Sequence, residues 1–209
     1  MESRPPAVPL EAGIGPENPP CPACGEPMFG WARTPSSKPV LRCEACGLGV
    51  VGDPGDEAAA MRALEGLRVD AGDRLRYRIA NRASLAASLG TSGWDSIEAG
   101  SAYFFTPEAV RRLVSGRGQV LARRRWVAGA SIASMWGTLM NSFTWGRNIA
   151  IGWLGKATAE PAALGWQRGM DRVISVLATP LVLLAAVLLE AGAALAGRGA
   201  VLELTLSLE

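Results

Sequence analysis

The residues best suited to chemistry are four cysteines near the N-terminus, arranged as two Cys-x-x-Cys-Gly motifs, "CPACG" and "CEACG". Two residues between thiolates let both sulfurs reach one ion from a tight turn, and a following glycine with positive φ turns backbone amides toward the sulfurs. Two such turns make a closed tetrahedral site with no position left for water. The spacing therefore predicts a structural Zn²⁺ site, with the ligands Cys21, Cys24, Cys43 and Cys46.

Two other uses of these cysteines stay open. A redox dithiol of the thioredoxin kind would need a helix directly after the motif, and an iron site of the rubredoxin kind could use the same four thiolates. The N-terminal stretch "MESRPPAVPLEAG" lacks the apolar core of a signal peptide. We therefore predict a cytoplasmic, reducing location, either free or membrane-associated, where paired cysteines favour metal thiolates over disulfides.

The segment between the two motifs must position them. Its short apolar runs "MFGWA" and "VLR" flank the turn-forming "TPSSKP", a pattern typical of a β-hairpin. We predict a zinc ribbon over residues 21–52, a separate module too small to hold a core without its metal. Arg33, Lys38 and Arg42 give this hairpin a mild positive face, either a solvated surface or a nucleic-acid contact.

The composition of the 209-residue chain limits the classes of protein to which it can belong. A hydrophobic fraction of 49% excludes a disordered chain, and a net charge of +2 gives no whole-molecule field for nucleic acid. The chain has no histidine, so the usual nucleophile–base pairs of hydrolases are absent. We predict no catalytic residue, no small-molecule substrate and no enzymatic activity.

The pattern divides the chain into four parts: a flexible, proline-rich arm (1–20), the ribbon (21–52), a helical bridge (53–100) and an apolar helical and β domain (101–209). In the bridge, Met61, Leu64 and Leu67 share a helical face, and Asp73 is predicted to cap a second helix over residues 74–90. Beyond it, Thr106 and Pro107 predict a helix start.

Two strands are predicted in the C-terminal domain, at residues 119–124 and at 201–208, where leucines alternate with polar residues. Without further strands beside them, they would have an exposed edge. Pairing with another chain is one way to cover such an edge, so we predict a homo-oligomer or an obligate protein partner.

Two apolar stretches raise the question of a membrane. Residues 126–146 carry no charge but several hydroxyls, and residues 173–189 are 17 uncharged residues that contain Pro180 and precede Glu190. Together they could form a helical hairpin in a bilayer. The alternative is a buried or peripheral helix, because about 20 apolar residues are needed to span and a carboxylate is costly in lipid.

The order of these parts resembles the two ends of a bacterial zinc-ribbon-bearing class I S-adenosylmethionine-dependent methyltransferase. The resemblance rests on the "CPxCG" ribbon, the "YFFTPEAVRRLV" helix, a strand with basic residues, an apolar helix and "GRG" before the last strand, over residues 21–51 and 103–208. It implies that the final strand is antiparallel and that the strands at 119–124 and 201–208 are neighbours. The family's cofactor-binding middle would need well over 100 residues of βαβ units, but only about 50 lie between the matching ends. No cofactor-binding residue is carried over.

The sequence thus predicts an α+β fold: a small N-terminal zinc ribbon followed by a mainly α-helical body with a two-strand β element. We predict a non-catalytic zinc-ribbon protein whose apolar C-terminal region docks on a membrane or a partner protein. One alternative is a methyltransferase-like accessory or substrate-binding protein that acts with a complete enzyme. Another, less favoured, is a nucleic-acid-binding ribbon.

Overall fold

The structure, a computed structural model, describes residues 18–34, 36–69, 75–97, 102–115, 119–152 and 164–208. Two antiparallel four-stranded sheets and the helices packed on them confirm the α+β class. The predicted arm (1–20) lies outside the described residues apart from its last three, and so does Asp73. The elements in chain order are β1 (Met28–Arg33), β2 (Pro39–Cys43), β3 (Gly49–Val51), α1 (Glu57–Glu65), β4 (Arg68–Val69), β5 (Leu75–Ala80), α2 (Leu85–Gly90), β6 (Tyr103–Phe104), α3 (Pro107–Val114), β7 (Gln119–Trp126), α4 (Ala128–Met140), α5 (Ile149–Gly152), α6 (Gly165–Leu195) and β8 (Val201–Leu208).

The first sheet has the order β1-β2-β3-β6 and contains the predicted hairpin. β1 and β2 pair antiparallel from Met28 with Cys43 to Arg33 with Pro39. β6 comes from far along the chain and extends this sheet by pairing with β3. The ribbon is therefore joined to the rest of the chain by backbone hydrogen bonds.

The ribbon also shares its core with the body. Met28 and Leu48 of the ribbon belong to one buried cluster with Leu64 of α1, Val110 of α3 and Leu204 of β8. The prediction of a separate module is therefore wrong. A segment of this size cannot cover its own apolar side, and here α1, α3 and β8 cover it.

The second sheet has the order β4-β5-β8-β7. β7 and β8 pair antiparallel from Gln119 with Leu208 to Trp126 with Leu202, which confirms that the two predicted strands are neighbours. The element is larger than the predicted pair, because β5 pairs with the other side of β8 and β4 pairs with β5.

The predicted helix over residues 74–90 is wrong in its first half. Residues 75–80 form β5, where Tyr77 and Ile79 are buried and the intervening arginines are not. Arg76 and Arg78 both pair with Glu203 of β8. Buried and more exposed side chains alternate with a period of two, which fits a strand. The ion pairs of both arginines with Glu203 on the neighbouring strand stabilise this strand in place of the predicted helix. Only Leu85–Gly90 is helical, and its N-cap is Ser84.

α1 and α3 both form where helices were predicted, and α3 has the predicted cap. α3 begins after Thr106, whose side chain accepts a hydrogen bond from the Ala109 amide, with Pro107 in the first turn. α1 begins after Asp56, and its Leu64 is buried while Leu67 lies beyond its end. Capping residues act locally, so these boundaries could be predicted from sequence.

α4 and α6 form a helical layer against the second sheet and α2. α4 has 13 residues and buries most of them, whereas a span needs about 20. The alternative of a two-helix membrane hairpin is therefore wrong for α4. α6 is 31 residues long, contains Pro180, and ends before Gly197, whose φ is +70°.

Candidate metal centre and apolar docking surface

The four cysteine sulfurs converge on one point. All four Sγ atoms lie within 4.8 Å of one another. The Sγ atoms of Cys21 and Cys46 are 3.6 Å apart, and those of Cys24 and Cys43 are 3.5 Å apart. Sulfurs at the corners of a tetrahedron around Zn²⁺, with Zn–S bonds of about 2.3 Å, would be roughly 3.8 Å apart. The arrangement is compatible with a metal ion held by four thiolates.

Each Cys-x-x-Cys turn closes with a glycine in the left-handed region, Gly25 at φ +76° and Gly47 at φ +77°. The amide of Gly25 donates to the Cys21 carbonyl at 2.8 Å, and the amide of Gly47 donates to the Cys43 carbonyl at 2.9 Å. These contacts repeat the same turn at both pairs, as the repeated motif predicted.

Hydrogen bonds to the sulfurs favour the ligating form of Cys21. A hydrogen bond from the Cys46 thiol, joined by the amides of Ala23 and Cys24, lowers the pKa of Cys21 to about 5 against the effect of burial. Burial raises the pKa of Cys24. A divalent metal would hold all four sulfurs as thiolates.

The second turn rests on the start of α3. The Thr106 hydroxyl donates to the Cys46 carbonyl at 2.5 Å and accepts from the Ala109 amide. A Cβ placed on Gly47 would lie 2.8 Å from Thr106 Cγ2, so this glycine is required by close approach as well as by its φ. Sequence reasoning found Thr106 as a cap but missed this contact with the metal turn, because nothing in the local pattern indicates it.

The positive face predicted for the ribbon is largely partnered. Arg42 pairs with Glu44, and Arg33 donates to the Ser37 carbonyl at 3.1 Å. A further arginine, Arg82, stacks over the Trp31 ring at 4.3 Å, and burial lowers its pKa to about 10. These contacts engage the guanidinium groups within the protein.

Most of the exposed large hydrophobic side chains among the described residues lie on α6. Among those residues α6 is the one helix long and apolar enough to cross a membrane, by length and composition, with a mean hydropathy of 2.4 over its most apolar window. Only 22% of that window is buried, far less than in a core helix. We call its exposed side the α6 apolar surface: Val173, Val176, Leu177, Leu181, Leu184, Val187, Leu188 and Leu195.

The opposite side of α6 is a narrow buried stripe: Asp171, Ser175, Ala186, Glu190 and Ala193. Near one end, the Asp171 carboxylate accepts from the amides of Trp145 and Gly146, both at 2.9 Å. Near the other, Glu190 Oε1 accepts from the Ala200 amide at 2.7 Å and from Trp126 Nε1 at 3.1 Å. Burial raises the pKa of Glu190. The two acids thus fasten both ends of α6 to the body.

Exposed aromatic side chains gather at the N-terminal end of α6. Trp145 and Trp166 are 52% and 60% exposed, and their ring centroids are 5.4 Å apart in an edge-to-face arrangement. Phe143 is also exposed. Trp126, in contrast, is half-buried and Trp136 is buried. Trp153 lies outside the described residues.

A polar network holds residues 91–97 against α4. The Asp95 carboxylate accepts from the hydroxyls of Ser134 and Ser96, at 2.5 and 3.2 Å, and its amide donates to the Thr138 hydroxyl. Burial raises the pKa of Asp95 to about 7, although the hydroxyl donors oppose this. Sequence reasoning did not find this group, because its donors come from a helix some 40 residues further along the chain.

Comparison with known proteins finds no matching family model, no matching curated protein and no matching solved structure. The relationship to zinc-ribbon methyltransferases therefore stays a prediction. The metal cluster and the α6 apolar surface are the two features from which a function can be argued.

Proposed function

We propose that this chain is a non-catalytic zinc-ribbon protein that docks on a membrane through the α6 apolar surface. The observation that carries the proposal is the exposure of α6: a helix with the composition of a membrane segment lies on the outside of the fold. Monomeric soluble proteins rarely expose contiguous apolar patches larger than a few hundred Å², and larger ones mark interaction sites.

Zinc is the proposed occupant of the four-cysteine cluster. Four protein thiolates close the coordination sphere, so the ion would have no position for substrate or water and would act by stabilising the fold. The predicted iron site uses the same ligands. Elemental analysis of the purified chain distinguishes them: we expect one zinc per chain, and a stoichiometric iron content with visible absorption would contradict zinc.

A lipid surface fits the α6 apolar surface better than a protein does. Protein interfaces carry about one hydrogen bond per 100–200 Å², but the polar side chains between Arg172 and Glu190 are only Ser175 and Thr179. Ser175 is buried, and the Thr179 hydroxyl already donates to the Ser175 carbonyl at 2.5 Å. The surface therefore has few groups that could hydrogen-bond to a partner protein, whereas its aliphatic side chains can pack against acyl chains.

Flotation with phosphatidylcholine vesicles tests the docking. We expect the full chain to float and to stay bound through a high-salt wash. The triple variant Leu177→Ser, Leu181→Ser, Leu184→Ser should lose at least tenfold in partitioning, because fully burying each leucine is worth about 1.5–3 kcal/mol. Leu67→Ser is the matched control, since Leu67 is also exposed but lies beside α1. Failure of the unsubstituted chain to float would contradict docking on lipid.

Self-association is a second candidate, favoured by the position of β7. This eight-residue strand lies at the edge of its sheet, with β8 as its neighbour, and long edge strands are templates for pairing with another chain. Light scattering of the purified chain tests it: a dimer that Val120→Pro converts to a monomer would support pairing through β7. The accessory role beside a methyltransferase, nucleic-acid binding and a cytoplasmic location stay predictions.

A further inference from the structure

The way α6 is fastened to the body limits how it can meet a bilayer. Its buried stripe runs from Asp171 to Ala193, so contact with the body continues for almost the whole helix. Asp171 and Glu190 are 190 − 171 = 19 residues apart, or about 28 Å along a helix. A helix held to its own protein over that length has no free segment that could cross a bilayer by itself.

The body cannot follow α6 into lipid. Arg76, Arg78 and Glu203 form ion pairs on the second sheet. Moving such groups into hydrocarbon would cost several kcal/mol each.

The side of α6 that faces away from the body suits one leaflet. The exposed side chains from Val173 to Leu195 are apolar along about 35 Å of helix. Trp145 and Trp166 lie exposed at the end where this surface begins. Tryptophan prefers the boundary between headgroups and acyl chains, because its ring is apolar and its N–H is polar.

From this geometry we infer that α6 lies in the plane of a phospholipid bilayer, as a one-sided anchor. The α6 apolar surface is embedded among the acyl chains of one leaflet, and Trp145 and Trp166 lie at headgroup level. The buried stripe, the body and the metal ribbon remain on the aqueous side. This inference rests on the proposed function and adds the orientation of the helix.

Site-directed spin labelling of the full, metal-loaded chain on phosphatidylcholine vesicles tests the orientation. Single cysteines replace Val173, Leu177, Leu184, Leu188 and Leu195 in turn, and the unsubstituted chain controls for labelling of the ribbon cysteines. Immersion depth is measured from relaxation by oxygen and by a water-soluble nickel complex. We expect similar depths, all within one leaflet, at the five positions.

The other outcomes are distinct. Depth that rises to a maximum near Leu184 and falls toward both ends would show a spanning helix and overturn the in-plane orientation, while leaving membrane docking intact. Chains that float but keep all five labels in water would show that another surface binds lipid, and would overturn the docking role of α6. Unsubstituted chains that do not float at all would overturn the proposed function itself.

Discussion

At the residue scale, the two metal turns are alike in backbone and different in surroundings. Gly25 and Gly47 have nearly the same positive φ, but only Gly47 is covered, by Thr106 of the α3 cap. The second turn is therefore packed against a helix, whereas the first is not.

Alanine substitutions at the two glycines separate these effects. Gly25→Ala should cost about 1–2 kcal/mol, the penalty of a side chain in the left-handed region, because its Cβ would meet nothing within 4 Å. Gly47→Ala should cost clearly more, since its Cβ would lie 2.8 Å from Thr106 Cγ2. Urea unfolding of the metal-loaded chains measures both. Equal losses in the free energy of unfolding would show that the close approach of Thr106 to the turn does not affect stability.

Asp95 should make stability depend on pH. Its folded pKa of about 7 lies above the ordinary aspartate value of 3.8, so between these pH values the folded state keeps a proton that the unfolded chain has released. The associated stability is full below about pH 4 and is lost as pH rises through 7. We expect a loss of about 4 kcal/mol across this window, at roughly 1.4 kcal/mol for each unit by which the pKa is raised.

The control for this effect is Asp95→Asn, which keeps the Oδ1 acceptor for Ser134 and removes the titration. Unfolding free energies measured at mildly acidic and mildly alkaline pH should differ less in the variant than in the unsubstituted chain. Some dependence should remain, because burial also raises the pKa of Glu190. An unchanged pH slope in Asp95→Asn would contradict the assignment.

At the element scale, α6 depends on a buried acid rather than on packing alone. Glu190 Oε1 accepts from the Ala200 amide and from Trp126 Nε1, so one side chain joins α6 to the start of β8 and the end of β7. Its Oε2 has no hydrogen-bond partner among the described residues. A neutral side chain with one acceptor oxygen would satisfy both donors equally well.

Two substitutions at Glu190 test this. Glu190→Gln should leave stability within about 1 kcal/mol of the unsubstituted chain, because the acceptor stays and a buried ionisable group goes. Glu190→Ala should cost about 2–4 kcal/mol, because it leaves two buried donors without an acceptor. Thermal unfolding in detergent, which keeps the α6 apolar surface covered, provides the measurement. Similar losses in both variants would mean that charge matters more than the acceptor.

At the scale of the whole molecule, the ribbon and the body share one buried cluster. Leu48 of the ribbon and Leu204 of β8 lie in it together, and β6 extends the ribbon sheet. A structural metal in such a ribbon would stabilise more than the ribbon.

Removal of zinc should therefore loosen both sheets. We expect a strong chelator to increase hydrogen exchange in β8 as well as in β1 and β2, and to lower the unfolding temperature of the whole chain. Cys46→Ser should reproduce the effect without chelator. Fast exchange confined to β1 and β2, with β8 still protected, would show that the ribbon unfolds as an independent module.

Local patterns in the sequence predicted the four-cysteine cluster, the Thr106 cap and the two C-terminal strands. Cys-x-x-Cys-Gly turns and the Thr106 cap depend on residues within a few positions of each other in the sequence. In β8, the alternation of leucines with polar residues predicts which face of the strand is buried. Tertiary structure decided what depends on distant partners. β5 is a strand because β8 lies beside it with Glu203, and the ribbon is part of the body because α1 and α3 cover it. Only a narrow stripe of α6 is buried against the body, so most of the helix surface lies outside the core. The hydropathy of the sequence does not reveal which side of a helix the body covers.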